Sequence, residues 1–215
     1  MQKLVFPILL ALILPLLASW FAYPETHLPP DFGVFPPQYV ADAPGFNLTV
    51  FCVIALAELL VITLYLIPAL FGFKKVTPNP RAQKVALPIW FWIGLVVTLF
   101  FWWLMWSRET VFGDLVYYAF TPMWWGFIFV LDGLVYRYSN RQSLFASKPK
   151  TFLMTAIVSL VGWYLFEYFN YFALGNWYYP NSTMPELSHQ TIVIIFLLAY
   201  TTVWPAIFQW YTLLN

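Results

Sequence analysis

"TFLMTAIVSLVGWYLFEYFNYFALGNWYYPN", residues 151–181, runs from Thr151 to Leu174 without a lysine, arginine or histidine and encloses Glu167 and Asn170. A bilayer core of about 30 Å is crossed by a helix of roughly 20 apolar residues. The stretch therefore reads as a membrane helix, and the question it poses is what a carboxyl group does inside one.

The same test selects six segments, about 4–22, 47–72, 85–107, 115–137, 151–174 and 191–214, which together use nearly the whole chain. The expected fold is all-α: a six-transmembrane-helix bundle forming a single polytopic membrane domain, 1–215, with short connections and no soluble enzyme module. Composition agrees. The chain is 62% hydrophobic and 9% charged with a mean hydropathy of +0.73, whereas a soluble domain is about one-quarter charged. A net charge of +1 implies neither a nucleic-acid footprint nor a funnel for acidic substrates. Lone Cys52 excludes an intrachain disulfide, a CxxC redox pair and a thiolate metal cluster, and reads as a small packing residue. The first segment, with Lys3 ahead of "LVFPILLALILPLLA", also resembles a secretory signal, and we read it as a retained helix.

Orientation follows from the cations, which are kept on the cytoplasmic side of helix ends. Lys3, Lys74, Lys75, Arg81, Lys84, Arg137, Arg141, Lys148 and Lys150 all fall on one side, and only Arg108 falls on the other. Both termini are thus expected in the cytoplasm and the chain in the plasma (inner) membrane. Glu25, Asp31, Asp42, Glu109, Asp114 and Glu186 fall outside.

Three acids remain inside helices: Glu58, Asp132 and Glu167. At 1.5 Å per residue, Glu58 lies about 16 Å and Glu167 about 10 Å from the outer ends of their helices, and Asp132 about 8 Å from the cytoplasmic end of its own. Asp132 is within reach of a snorkelling Arg137 or another basic loop residue and is the least informative of the three. Glu58 and Glu167 have only neutral donors available: Trp N–H, Tyr O–H, Asn170, or Thr63, Thr98, Thr201 and Thr202. Glu167 and Asn170, three apart, share a helical face with Trp163. Such an acid is interhelical glue worth about 0.6–2 kcal/mol, a proton or substrate site, or the counterpart of a cation on another protein. Glu58 and Glu167 are the candidate catalytic pair, and Glu167 is expected to be neutral or donor-satisfied, facing the bundle interior near Glu58.

Aromatic residues make up 22% of the chain. Trp and Tyr gather at membrane interfaces, which accounts for Trp20, Trp106, Trp177, Tyr178 and Tyr179. It does not account for the density of Trp90, Trp92, Trp102, Trp103 and Trp106 on one helix, or for Trp124 and Trp125 near the middle of another. Flat, rigid side chains suit a lipid tail, quinone, carotenoid or tetrapyrrole, and they equally suit packing against neighbouring helices.

"YPETHLPPDFGVFPPQYVADAPGFN", residues 23–47, carries six prolines among apolar residues. Proline removes backbone donors, so the segment is expected to be extended and to lie as an extracytoplasmic cap near "GNWYYPNSTMPELSHQ". His27 and His189, one in each outer loop, are the weak metal candidates, without metal-site spacing. No phosphate loop, dinucleotide fingerprint, nucleophile elbow or transporter-type repeat is visible. "NLT" at Asn47 and "NST" at Asn181 match the glycosylation pattern, and Pro122 and Pro205 are expected to kink helices four and six.

The stretch from Glu167 through Asn170 and "GNWYY" to "MPEL" is similar to one repeat of the integral-membrane lycopene cyclases, in which an acid-Asn helix precedes a W-x-Y turn and a Pro-x-Glu-Glu motif. The similarity covers about a tenth of the chain, the final acid pair is Glu186-Leu187 here, and no second copy is present. It implies carotenoid-type chemistry as an alternative. The leading expectation is an accessory or scaffold subunit whose partners are membrane lipids and other integral membrane subunits, with no nucleic acid. The contact residues would be Glu58, Glu167, Asn170, Trp163, Trp102, Trp103, Trp124, Trp125 and Trp177. A lipid- or isoprenoid-modifying enzyme is second and a proton-coupled transporter third.

Overall fold

The structure is a computed structural model describing residues 2–37, 45–73, 85–107, 110–175, 177–179, 184 and 186–214. The eight α-helices among the described residues are α1 (Gln2–Ala22), α2 (Leu48–Leu66), α3 (Ile89–Ser107), α4 (Phe120–Tyr138), α5 (Leu144–Ser147), α6 (Pro149–Phe169), α7 (His189–Tyr200) and α8 (Val203–Leu214). Five stretches are long and apolar enough to cross a membrane, α7 and α8 counting as one, and they become six if Val111–Tyr118 and Phe120–Tyr138, bent by 65°, form one broken span.

The chain divides into two units, Met1–Val40 with Ala82–Asn215, and Ala41–Arg81. In the second unit Asn47 starts α2 by accepting the Val50 N–H at 3.1 Å. Pro68, which cannot donate onward, opens a short 3-10 turn, Pro68–Phe71, closed by left-handed Gly72. Helix two is therefore shorter than the expected 47–72. Within this unit α2 buries none of its residues, and Cys52 is exposed on it.

In the first unit α3 and α4 approach closely because their contact residues are small. A Cβ on Gly94 would lie 2.6 Å from the Gly126 carbonyl, and one on Gly133 would lie 2.6 Å from Phe91 Cβ. Small residues of this kind let membrane helices pack backbone to backbone. Ile128, Leu131, Phe152 and Ala206 form the buried centre, ringed by Trp124, Trp125, Phe127 and Phe129.

Both expected proline kinks can be checked. Pro205 lies in the first turn of α8, just past a break after Tyr200. Its missing N–H withdraws a helical bond at that point, and Ser159 bridges the break by donating to the Tyr200 carbonyl (2.5 Å) and accepting from Trp204 N (3.2 Å). Pro122 occupies the same third position of α4, just past the 65° bend between Tyr118 and Phe120, so the expected helix four also breaks immediately ahead of its proline.

Candidate functional site

Glu167 ends α6 almost fully buried, at 2% exposure, and its two oxygens take three donors. Tyr179 Oη and Tyr200 Oη donate to Oε1 at 2.5 and 2.6 Å, and Trp177 Nε1 donates to Oε2 at 3.0 Å. The donors reach it for local reasons. After Phe169 the helix widens into a π-turn, Asn170–Leu174, that Gly175 closes at φ 53°, a backbone conformation glycine adopts without strain. The chain then folds back. Buried Asn170 holds the returning strand by donating to the Trp177 carbonyl (2.8 Å) and accepting the Trp177 N–H (3.3 Å). That clamp sets the Trp177 and Tyr179 side chains against the acid. Tyr200 comes from the last turn of α7, stacked on Trp163 with ring centroids 5.1 Å apart.

Phe35 meets the rings of Tyr164, Phe196 and Tyr200. The Pro37 carbonyl accepts the Tyr179 N–H at 3.1 Å, and Tyr171 donates to the Val34 carbonyl. Burial, and after it the hydrogen bond to Glu167, push the Tyr179 phenol above its ordinary value.

A second acid centre lies around Asp132, which is 0% exposed. Trp90 Nε1 (3.1 Å) and Ser143 Oγ (2.7 Å) donate to Oδ1, and Phe145 N (2.9 Å) and Gln209 Nε2 (2.6 Å) donate to Oδ2. One carboxylate thus ties α3, α4, α5 and α8. The expectation that Arg137 answers Asp132 is corrected: Arg137 Nε is buried without a partner, and the guanidinium lies 5.9 Å from the Tyr138 ring centre. A rigid acceptor ringed by short donors needs no snorkelling cation.

Each of the other sequence candidates has its own surroundings. Glu58 stands exposed on α2 of the second unit, whereas all three donors to Glu167 belong to the first. Thr63, Thr98, Thr201 and Thr202 do not serve the acids, since each hydroxyl bonds a carbonyl of its own helix or turn. Trp125 Nε1 donates to Thr201 Oγ1 at 3.2 Å. Trp102 and Trp124 line a surface groove of about 250 Å³ with Thr98, Met123 and Phe127, and Trp103 is exposed. His27 stacks on Trp20 at 3.8 Å and His189 is exposed at the start of α7. Among the described residues no three His, Cys, Asp or Glu side chains could hold a metal ion.

Sequence reasoning missed Tyr200, Ser143, Ser159 and Gln209. Gln209 carried a readable signal, being an amide inside an apolar segment just as Asn170 is. Ser143 carried none, because its role depends on a loop helix folding back beneath Asp132.

No protein-family profile, curated protein or solved structure matches the chain. Fold and site define a class: an all-helical, multi-pass, aromatic-rich membrane protein with buried acids that its own side chains satisfy.

Proposed function

We propose that this chain is a small multi-pass accessory or scaffold subunit of the plasma (inner) membrane, built to pack against other integral membrane proteins and lipophilic cofactors. Its termini are cytoplasmic, and the described part of the proline-rich segment, residues 23–37, caps the outer mouth beside Glu167, supported by the Phe35 and Pro37 contacts to Tyr200 and Tyr179. The observation that carries the reading is the saturation of Glu167 and Asp132. Seven donors from the chain itself occupy their four oxygens, which suits fasteners better than groups awaiting substrate. The aromatic surface is left facing outward instead: Trp92, Trp102, Trp103 and Trp106 are all exposed along α3. Extraction in a gentle detergent followed by native mass measurement tests this, with a complex larger than the chain as the expected result and a partner-free monomer as the contrary one.

One observation favours a second reading, an isoprenoid-modifying enzyme. The residues that carry the cyclase similarity, Glu167, Asn170, Trp177 and Tyr179, converge on one point. Comparing membrane lipid extracts before and after deletion of the gene separates the two, since a changed isoprenoid profile supports the enzyme and an unchanged one the subunit.

A further inference from the structure

A cavity of about 440 Å³ opens immediately after α1, lined by Tyr23, Thr26, Asp31 and Phe32 together with Pro29 and Pro30. That volume lies within the range of small-molecule sites, about 300–1,000 Å³. The polar groups lining it are weighted toward acceptors. Pro29 and Pro30 have no N–H to offer. The Thr26 hydroxyl spends its hydrogen on the Leu28 carbonyl at 2.8 Å, which leaves its lone pairs. The Asp31 carboxylate is exposed, and among the described residues it takes no hydrogen bond and no Lys, Arg or His lines the cavity. Neighbouring His27 is engaged elsewhere, stacked on Trp20 with Nδ1 3.2 Å from the Trp20 carbonyl. Tyr23 and Phe32 add two aromatic side chains, Phe32 packed against Tyr171 and Phe172, and an aromatic ring attracts a cation held within about 6 Å of its face. An uncompensated carboxylate, acceptor oxygens and two aromatic rings are complementary to a positively charged donor.

We propose that this cavity binds a cationic ammonium group, with Asp31 as its counter-charge and Tyr23 and Phe32 as its aromatic walls. The apolar lining receives the carbon skeleton next to the charge. Because Tyr23 directly follows the membrane-spanning stretch Val5–Ala22, the ammonium group can belong to a lipid headgroup or to a free amine.

The test uses the full chain in maltoside detergent, with ligand-detected NMR of choline and of its uncharged carbon isostere, dimethylbutanol. Choline is expected to bind about tenfold or more tightly than the isostere, Asp31→Asn to remove that advantage, and Glu25→Gln to leave it intact. Equal binding of the two probes by the wild-type chain overturns the proposal, and so does an undiminished choline advantage in a folded Asp31→Asn protein. The wild-type contrast decides the matter even if Asp31→Asn does not fold. Native mass spectra from nanodiscs of phosphatidylethanolamine or phosphatidylglycerol then identify the source. Selective retention of phosphatidylethanolamine, lost in Asp31→Asn, assigns the site to a headgroup, and choline binding without lipid retention assigns it to a free amine. Absence of choline selectivity in the wild-type chain overturns the proposal whatever the lipid spectra show.

Discussion

The Tyr200 hydroxyl donates to Glu167 at 2.6 Å across 33 residues of sequence. The carbonyl of the same residue accepts the Ser159 hydroxyl at 2.5 Å, so Tyr200 joins the Glu167 centre to the break between α7 and α8. Loss of either contact should loosen both places.

Glu167 is the first residue to substitute. In Glu167→Gln one amide oxygen still accepts from Tyr179 and Tyr200, but the amide nitrogen meets the Trp177 N–H, a donor against a donor. The expected loss is about 1–3 kcal/mol for one buried donor left unsatisfied. Glu167→Ala strands all three donors and should lose more. Denaturant unfolding in detergent measures both, and a Glu167→Leu protein as stable as the wild type would contradict the fastener role.

Tyr179→Phe and Tyr200→Phe should each cost about 0.5–1.5 kcal/mol. Both hydroxyls bond the same oxygen, so the double variant should depart from additivity, which a double-mutant cycle detects.

The raised Tyr179 phenol fixes a pH signature. Its value in the folded chain lies above the ordinary 10.0, so its contribution is fully present below pH 10.0 and is lost as pH rises through the folded value. Unfolding midpoints should hold steady up to about pH 10 and decline beyond it, and the decline should be shallower in Tyr179→Phe. Ultraviolet absorbance of the phenolate reports the titration directly.

Asp132→Asn turns an acceptor ringed by four donors into a side chain that presents a donor to two of them. The expected cost is about 1.5–3 kcal/mol or more, with faster amide exchange in Leu144–Ser147, whose Phe145 N–H loses its carboxylate. Arg137→Gln should cost much less, because Arg137 does not bond Asp132. Equal losses in the two variants would restore the ion pair.

What the sequence showed follows from the range of each interaction. Apolar length is a local property, so the spans were legible, and Pro205 marked its break because a missing N–H acts within one turn. The donors to Glu167 were legible as residue types only: the tryptophan and tyrosine of "GNWYY" stood ten to twelve positions away in plain sight, but which of them turns back depends on the π-turn and the Asn170 clamp. Tyr200 reaches Glu167 from α7, and Gln209 reaches Asp132 from α8; no local pattern announces either pairing.

Placing a photo-crosslinking phenylalanine analogue at Trp103 and illuminating native membranes tests whether the exposed aromatic face of α3 meets another membrane protein. The predicted result is a discrete protein adduct of fixed mass, absent when the probe replaces Ile128, which is 0% exposed in the core. Lipid adducts alone from Trp92, Trp103 and Trp106 would contradict the claim.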